Sequence, residues 1–224
     1  MTVDFLFKFP TRQRRKKFFR VLDLYYNSLS GKHSYKFIIS MDKDDLDMNN
    51  DKVKNKLNSY ENLEYYYGNN KSKIEAINAN MDKAGDYKII YNISDDMIPK
   101  EKNLDRIIYN DMMKFFRNLD GCLHYNDGRV GKRLNTLVIM GKKLYDYFGY
   151  IYHPDYKSLW CDNEFHTITK QMKKTKYMDR VIVRHEWPGA NGDKLYRRNE
   201  NLYTRDKKIF EKRRLLGFPK KSIL

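Results

Sequence analysis

An α/β fold with a mostly parallel central sheet flanked by helices is the class this sequence predicts, on three observations. Short apolar runs alternate with amphipathic stretches through the first hundred residues. The runs Val3 to Phe9, Tyr35 to Met41 and Tyr87 to Ile93 are dense in Phe, Ile and Tyr, as strands covered on both faces of a parallel sheet are. Each stops abruptly at polar or charged residues: Thr11-Arg12, then Asp42-Lys43-Asp44-Asp45, then Asp95-Asp96.

The elements follow in order. Thr11 is placed to cap a helix carrying Phe18, Leu22, Tyr25 and Leu29 at helical spacing, which Gly31 closes. The run from Tyr35 is a second strand, so strand, helix and strand form a crossover unit. Val53, Leu57 and Tyr60 mark a short helix and Leu63 to Tyr67 a third strand. Ile74, Ile77 and Met81 form one face of a helix ending near Gly85, and the fourth strand delivers Asp95 and Asp96. The second half is less regular. Cys122 to Tyr125 reads as a strand, Asp127-Gly128 as a turn, Leu137 to Met140 as a strand stopped by Gly141, and Lys142 to Phe148 as a helix. Val181 to Arg184 is a strand leading into His185-Glu186-Trp187-Pro188-Gly189, and a final helix runs from Thr204 to about Leu216. No repeat or linker interrupts the chain, so one domain is expected over residues 1–224, with halves 1–100 and 101–224.

Composition narrows the class. A hydrophobic content of 41% with 15% aromatics argues for a packed globule despite a charged fraction of 33%. No apolar run approaches the ~20 residues of a membrane span, and no leader is apparent, so a soluble cytoplasmic protein is expected, with peripheral membrane contact left open. Cys122 and Cys161 are too few to frame a metal site alone. The net charge of +16 suits nucleic acid, an anionic membrane or a phosphorylated substrate, and does not choose among them. A lysine-, asparagine- and isoleucine-rich chain also arises from an AT-rich genome without selection for a partner.

The acidic strand ends carry the chemistry. In an open α/β sheet the carboxyl ends of parallel strands share one edge, so Thr11-Arg12, Asp42, Asp44, Asp95, Asp96 and His185 converge on one cleft. Aspartate and histidine together supply oxygen and nitrogen donors that suit Mn²⁺ or Mg²⁺ against a diphosphate. Taken singly, each has an ordinary explanation: an aspartate pair after a strand caps a turn, and Asp42 to Asp45 reads as a solvated turn. The run Arg12, Arg14, Arg15, Lys16 and Lys17 lies at a helix start, where the dipole disfavours cations unless an anion is near.

The ordered set Phe9-Pro10-Thr11-Arg12, Met41-Asp42-Lys43-Asp44, Lys73-Ile74-Glu75-Ala76-Ile77-Asn78 and Ser94-Asp95-Asp96 resembles the nucleotide-binding half of a GT-A glycosyltransferase, nearest to the inverting family two. The resemblance implies a single GT-A domain of Rossmann-like character. It further implies Pro10, Thr11, Arg12, Asp42 or Asp44, Lys73 and Asp95 for the nucleotide and Asp96 for the metal. In the acceptor half, Leu159-Trp160-Cys161-Asp162-Asn163-Glu164-Phe165 resembles the segment that supplies the catalytic base, which implies Asp162 with Glu164 as its rival. Arg184-His185-Glu186-Trp187-Pro188 resembles the late segment that gives a histidine to the metal. Asp162 read by residue pattern alone is also a cap for a helix starting near Phe165. Two departures stand out: the acidic pair is adjacent rather than spaced, and Lys43 separates Asp42 from Asp44.

The function implied is transfer of a sugar, with inversion, from a nucleotide-diphosphate sugar, preferably a UDP-sugar, to a hydroxyl of a glycan or glycoconjugate. Two alternatives compete. A sugar nucleotidyltransferase would show a glycine-rich loop where Pro10-Thr11-Arg12 stands. A basic nucleic-acid-binding protein would not place carboxylates at successive strand ends, where they repel phosphate.

Overall fold

The computed structural model describes residues 2–186 and 192–224. Trp187, Pro188 and Gly189 of the late segment lie outside the described residues. The chain runs β1 (Val3–Pro10), α1 (Arg15–Ser28), β2 (Tyr35–Asp42), α2 (Asp51–Leu57), β3 (Leu63–Gly68), α3 (Lys73–Asn78), β4 (Tyr87–Asn92), β5 (Met97–Pro99) and α4 (Leu104–Phe115). It continues through β6 (Cys122–Tyr125), β7 (Ile139–Gly141), α5 (Lys142–Phe148), α6 (Cys161–Gln171), β8 (Thr175–Met178), β9 (Val183–His185), α7 (Lys194–Glu200) and α8 (Tyr203–Leu215).

Seven strands form one sheet in the order β3-β2-β1-β4-β7-β6-β8. Strands β1 to β4 are mutually parallel, whereas β7 is antiparallel to both β4 and β6, and β8 runs parallel to β6. The expected mostly parallel sheet is therefore present, and the antiparallel β7 joins the two halves through Ile90↔Met140. Alternation sets the two faces. Phe5, Phe7 and Phe9 of β1 pack with α1, α2 and α4 in one core, and Leu6, Ile38 and Ile90 pack with α3, α5, α6 and α8 in the other. Cys122 and Cys161 are buried free thiols. No helix among the described residues is long and apolar enough to cross a membrane.

Several expectations are corrected. Thr11 does not cap α1: the helix starts four residues later, with Arg14 at the cap position in the left-handed region (φ 55) and Gln13 beside it (φ 57). Met81 is not on α3, which ends at Asn78 because the chain turns there; Met81–Lys83 is a separate short 3-10 turn. Asn78 pins that turn by accepting from the Ile151 backbone N–H at 2.9 Å and donating to the Tyr152 carbonyl at 2.6 Å. The strand bearing His185 is not a member of the parallel set. It pairs antiparallel with β5 in a separate two-stranded sheet, Met97 opposite His185.

Candidate active site

The two-stranded sheet explains how Asp96 and His185 meet. Asp96 precedes β5 and His185 ends β9, so antiparallel register with Met97 opposite His185 brings the two side chains together. The His185 Nε2 lies 3.6 Å from the Asp96 Oδ2, and the Glu186 N–H donates to the Asp96 carbonyl at 2.7 Å. The far end of β9 is anchored by the His185 N–H on the Asp127 carbonyl at 2.9 Å. Asp127 is itself buried, accepting N–H bonds from Arg129, Val130 and Gly131. The two neighbouring aspartates titrate in opposite directions. Burial would raise Asp96, but the His185 hydrogen bond and charge, Ser94 and the Lys73 charge outweigh it and hold Asp96 well below the usual carboxylate range. Asp95 is raised, first by burial and then by the Asp96 charge, against Arg14 and Lys17. Asp96 therefore stays ionised, the state a metal ligand needs.

The basic loop after β1 divides its charges. Arg12 makes a forked contact with Asp44, Nη1–Oδ1 at 2.6 Å and Nη2–Oδ2 at 2.8 Å, and reaches the Asp42 Oδ2 at 2.8 Å. Arg14 forks to Asp193, the N-cap of α7, at 2.5 and 2.7 Å and touches the Asp95 Oδ1 at 3.2 Å. Asp42 to Asp45 is no solvated turn: Asp42 is buried and also accepts from the Asn70 Nδ2 at 2.8 Å. Asp45 is buried and accepts the Gln13 N–H at 2.5 Å, which steadies the left-handed backbone there. Asp44 alone of these is exposed. Pro10 ends β1, and Thr11 follows with a buried hydroxyl oxygen that, like the Arg12 Nε, has no hydrogen-bond partner among the described residues. Buried polar atoms are rarely left so.

Lys73 opens α3. Ser72 caps that helix by accepting the Glu75 N–H at 3.2 Å, and Glu75 reaches back to the Lys71 N–H at 2.8 Å. The exposed Lys73 acts electrostatically on both Asp96 and Asp162, which ties the two halves of the chain to one space.

Asp162 is in the first turn of α6, one residue after its start, and is not its cap. That position belongs to Trp160, held in the left-handed region at φ 63. The Asp162 Oδ1 accepts from the Asn163 backbone N–H at 2.9 Å and side-chain amide at 3.1 Å, while no hydrogen-bond partner of Oδ2 is found among the described residues. Burial raises its pKa against the opposing charge of Lys73 and the Asn163 hydrogen bonds. Glu164 stands differently. It is buried with both oxygens taken by Arg213, Nε–Oε2 at 2.7 Å and Nη2–Oε1 at 2.9 Å, and Oε2 also accepts the Tyr156 hydroxyl at 2.7 Å.

Two wholly buried charges on α8 hold the segment that presents Asp162. Asp206 accepts the N–H groups of Lys157, Ser158 and Leu159 at 3.2, 2.8 and 2.8 Å, just before Trp160. Arg213, two turns on, grips Glu164 and the Asp155 Oδ2 at 3.0 Å. The loop and the start of α6 are thus clamped on either side of Asp162.

The sequence reading did not single out Arg14 or Asp193 as site residues. Arg14 stood inside the basic run that was noted, whereas its pairing with Asp193 spans 179 positions and leaves no local signal. No group of three or more His, Cys, Asp or Glu side chains suited to a metal occurs among the described residues. Asp96 and His185 therefore offer a two-donor edge, and their 3.6 Å separation is near the ~3 Å between adjacent donors on an octahedral ion. Such a set fits a cation that takes its other ligands from phosphate and water.

No protein-family model and no curated protein matches the sequence. Solved structures do match. The mannosyltransferase PcManGT from Pyrobaculum calidifontis, in complex with GDP-Man and Mn²⁺, superposes over 88% of this chain with a TM-score of 0.66 at 13% identity. The fold is GT-A. TarS of S. aureus in complex with UDP-GlcNAc covers 81% of this chain at a TM-score of 0.61 and 13% identity. A Drosophila β-1,4-galactosyltransferase 7 mutant with manganese, UDP-Gal and xylobiose covers 88% at a TM-score of 0.51 and 10% identity. The chain spans 60% of the PcManGT chain and 58% of the TarS chain. Asp42 ends β2, Asp95 follows β4 and Lys73 opens α3, and the Lys73 charge acts on both Asp96 and Asp162.

Proposed function

We propose that this chain is a metal-dependent inverting glycosyltransferase that moves a sugar from a nucleotide-diphosphate sugar to an acceptor hydroxyl. The observation that carries the reading is the convergence on Lys73 of an ionised Asp96 beside His185 and a half-buried, raised Asp162 from the other half of the chain. A UDP-sugar is the favoured donor, since two of the three solved relatives named above carry a uridine nucleotide and the third carries GDP-Man.

In this reading Pro10, Thr11 and Arg12 with Asp42 or Asp44 receive the nucleoside, Lys73 and Asp95 flank the phosphates and ribose, and Asp96 with His185 holds Mn²⁺ or Mg²⁺. The bound cation supplies Lewis-acid stabilisation of the diphosphate leaving group. Asp162 takes the proton of the acceptor hydroxyl as that oxygen bonds to the anomeric carbon. The bond from carbon to the β-phosphate oxygen breaks on the opposite side, which inverts the centre. A base must have an open oxygen and enough basicity to hold a proton. Asp162 offers both, whereas Glu164 is committed to Arg213 and Tyr156, so the base is assigned to Asp162 alone. Incubation with a panel of nucleotide sugars, Mn²⁺ and oligosaccharide acceptors, with the product's anomeric configuration read by NMR, tests the function. An inverted glycoside from a uridine donor is expected, and a retained configuration would overturn the mechanism.

A further inference from the structure

The basic run after β1 sends only part of its charge into the site. Arg12 and Arg14 pair with Asp42, Asp44, Asp95 and Asp193, and Lys17 stands 4.0 Å from Asp95. Arg15, Lys16 and Arg20 instead line an open groove of about 490 Å³ between α1 and α2, faced from α2 by Lys52 and Lys56. Lys16 and Arg20 are one helical turn apart, as are Lys52 and Lys56, so each wall presents two basic residues whose Cβ atoms lie about 6 Å apart.

Few carboxylates balance these five cations. Asp23 is the acid lining the groove, and it is held by the Tyr60 hydroxyl and by Lys56 at 3.8 Å. Asp47 accepts the Arg15 N–H at 3.1 Å and lies 3.8 Å from the Arg15 Nε, and Glu186 lies 3.8 Å from Arg20. Lys16 and Lys52 are exposed and pair with no acid among the described residues. Moreover, α1 has no acidic residue in its first turn, so Arg15 and Lys16 oppose the helix dipole as well as each other. Local conflict of this kind marks a place where an external anion completes the electrostatics.

The groove also adjoins the site. Arg20 pairs with Glu186, whose N–H is bonded to the Asp96 carbonyl, and Arg15 follows Arg14. Its floor restricts the occupant. Phe19 and Val53 are buried, and the Lys56 ammonium covers the Phe19 ring at 4.3 Å from its centroid. Among the described residues no aromatic face in the groove is open for stacking bases, and no exposed apolar side chain lines it to enter a bilayer. A flexible chain with repeated anionic groups fits better.

We propose that the α1–α2 groove binds an oligosaccharide bearing carboxylate or phosphate groups, as the part of the acceptor that extends beyond the reacting sugar. The word acceptor rests on the glycosyl-transfer reading; the binding itself does not. Titration calorimetry without donor would use short oligogalacturonates for the carboxylate source, phosphorylated maltooligosaccharides for the phosphate source and neutral maltooligosaccharides as the reference. Both, or one, of the charged sets should bind in a salt-sensitive manner while the neutral set binds at least tenfold more weakly, and Lys16→Glu with Lys52→Glu should weaken the charged set about tenfold or more. Both lysines are exposed, so the double variant should keep wild-type melting and donor hydrolysis. The proposal is overturned if charged and neutral sugars bind alike, or if the double variant binds the charged sugars as wild type does. It is equally overturned if single-stranded DNA or anionic phosphatidylglycerol vesicles bind more tightly than the sugars and lose that binding in the double variant. Donor hydrolysis by the wild type, measured in parallel, reports on the transfer reading alone.

Discussion

The two helices that deliver the site begin alike and are held by opposite means. Arg14 before α1 and Trp160 before α6 are both non-glycine residues in the left-handed region, at φ 55 and φ 63, a conformation that costs roughly 1 kcal/mol or more and persists only where its surroundings enforce it. Around Arg14 the enforcement comes from partly exposed pairs of guanidinium with Asp42, Asp44, Asp95 and Asp193. Around Trp160 it comes from buried Asp206 and Arg213, which take up backbone N–H groups and Glu164 and leave the neighbouring Asp162 without an ion pair. The difference matches two tasks. Acids matched with arginine form a cradle that an incoming anion can share, whereas an acid in no ion pair among the described residues and raised by burial retains the basicity to accept a proton.

The largest expected effect breaks the second arrangement. Asp162→Asn should lower kcat by about 10³-fold, within the usual span for a general base, and leave nucleotide affinity by calorimetry within about twofold. Equal losses in both would make Asp162 a structural residue. Next, Arg213→Met strands the buried Glu164 and Asp155 and should cost about 3 kcal/mol in urea unfolding, whereas Arg14→Met removes partly exposed pairs and should cost about 1 kcal/mol or less. Equal costs would erase the contrast between the two sites.

Lys8 is the exception in the first half, a wholly buried lysine with no acid partner among the described residues, its ammonium bonded to the Ser40 hydroxyl and to the Ala76 carbonyl at 3.1 Å. Burial lowers its pKa to about 7. Its folded value lies below the unfolded ~10.4, so the unfolded chain binds the proton more tightly and stability climbs from about pH 7 to about pH 10. Lys8→Met should therefore be more stable than wild type by about 2 kcal/mol at pH 7, with the gain fading towards pH 10, as read from melting at each pH. A constant difference across that range would contradict a titrating Lys8. The smallest effect is on the rate profile. Burial raises Asp162, so the acidic limb of kcat should rise with pH through a midpoint above the ordinary ~4. Lys73→Met removes the charge that opposes this rise and should move the limb to higher pH.

Legibility followed the same division. The first four strands were readable because runs dense in Phe, Ile and Tyr flag strands of a parallel sheet, and acids follow β2 and β4 closely in sequence. In the second half α4 was overlooked although Leu104, Ile108 and Met112 recur at helical spacing and are wholly buried, because charged residues separate them. The strand β8, Thr175–Met178, is short and half exposed at the sheet's edge and has no apolar run to betray it. Asp96 and His185 could be chosen by residue type, but their meeting depends on the pairing of β5 with β9, which no local pattern encodes. The same holds for the left-handed Trp160 and for Asp206, whose three N–H partners lie about 48 positions away.

The central claim is that Asp96 places a divalent cation against the nucleotide's diphosphate. Calorimetric titration of UDP into wild type and Asp96→Ala, with and without Mn²⁺, tests it most directly. The account predicts that Mn²⁺ tightens UDP binding at least tenfold in wild type and leaves the variant unchanged. An equal Mn²⁺ effect in both proteins, or none in wild type, would contradict it.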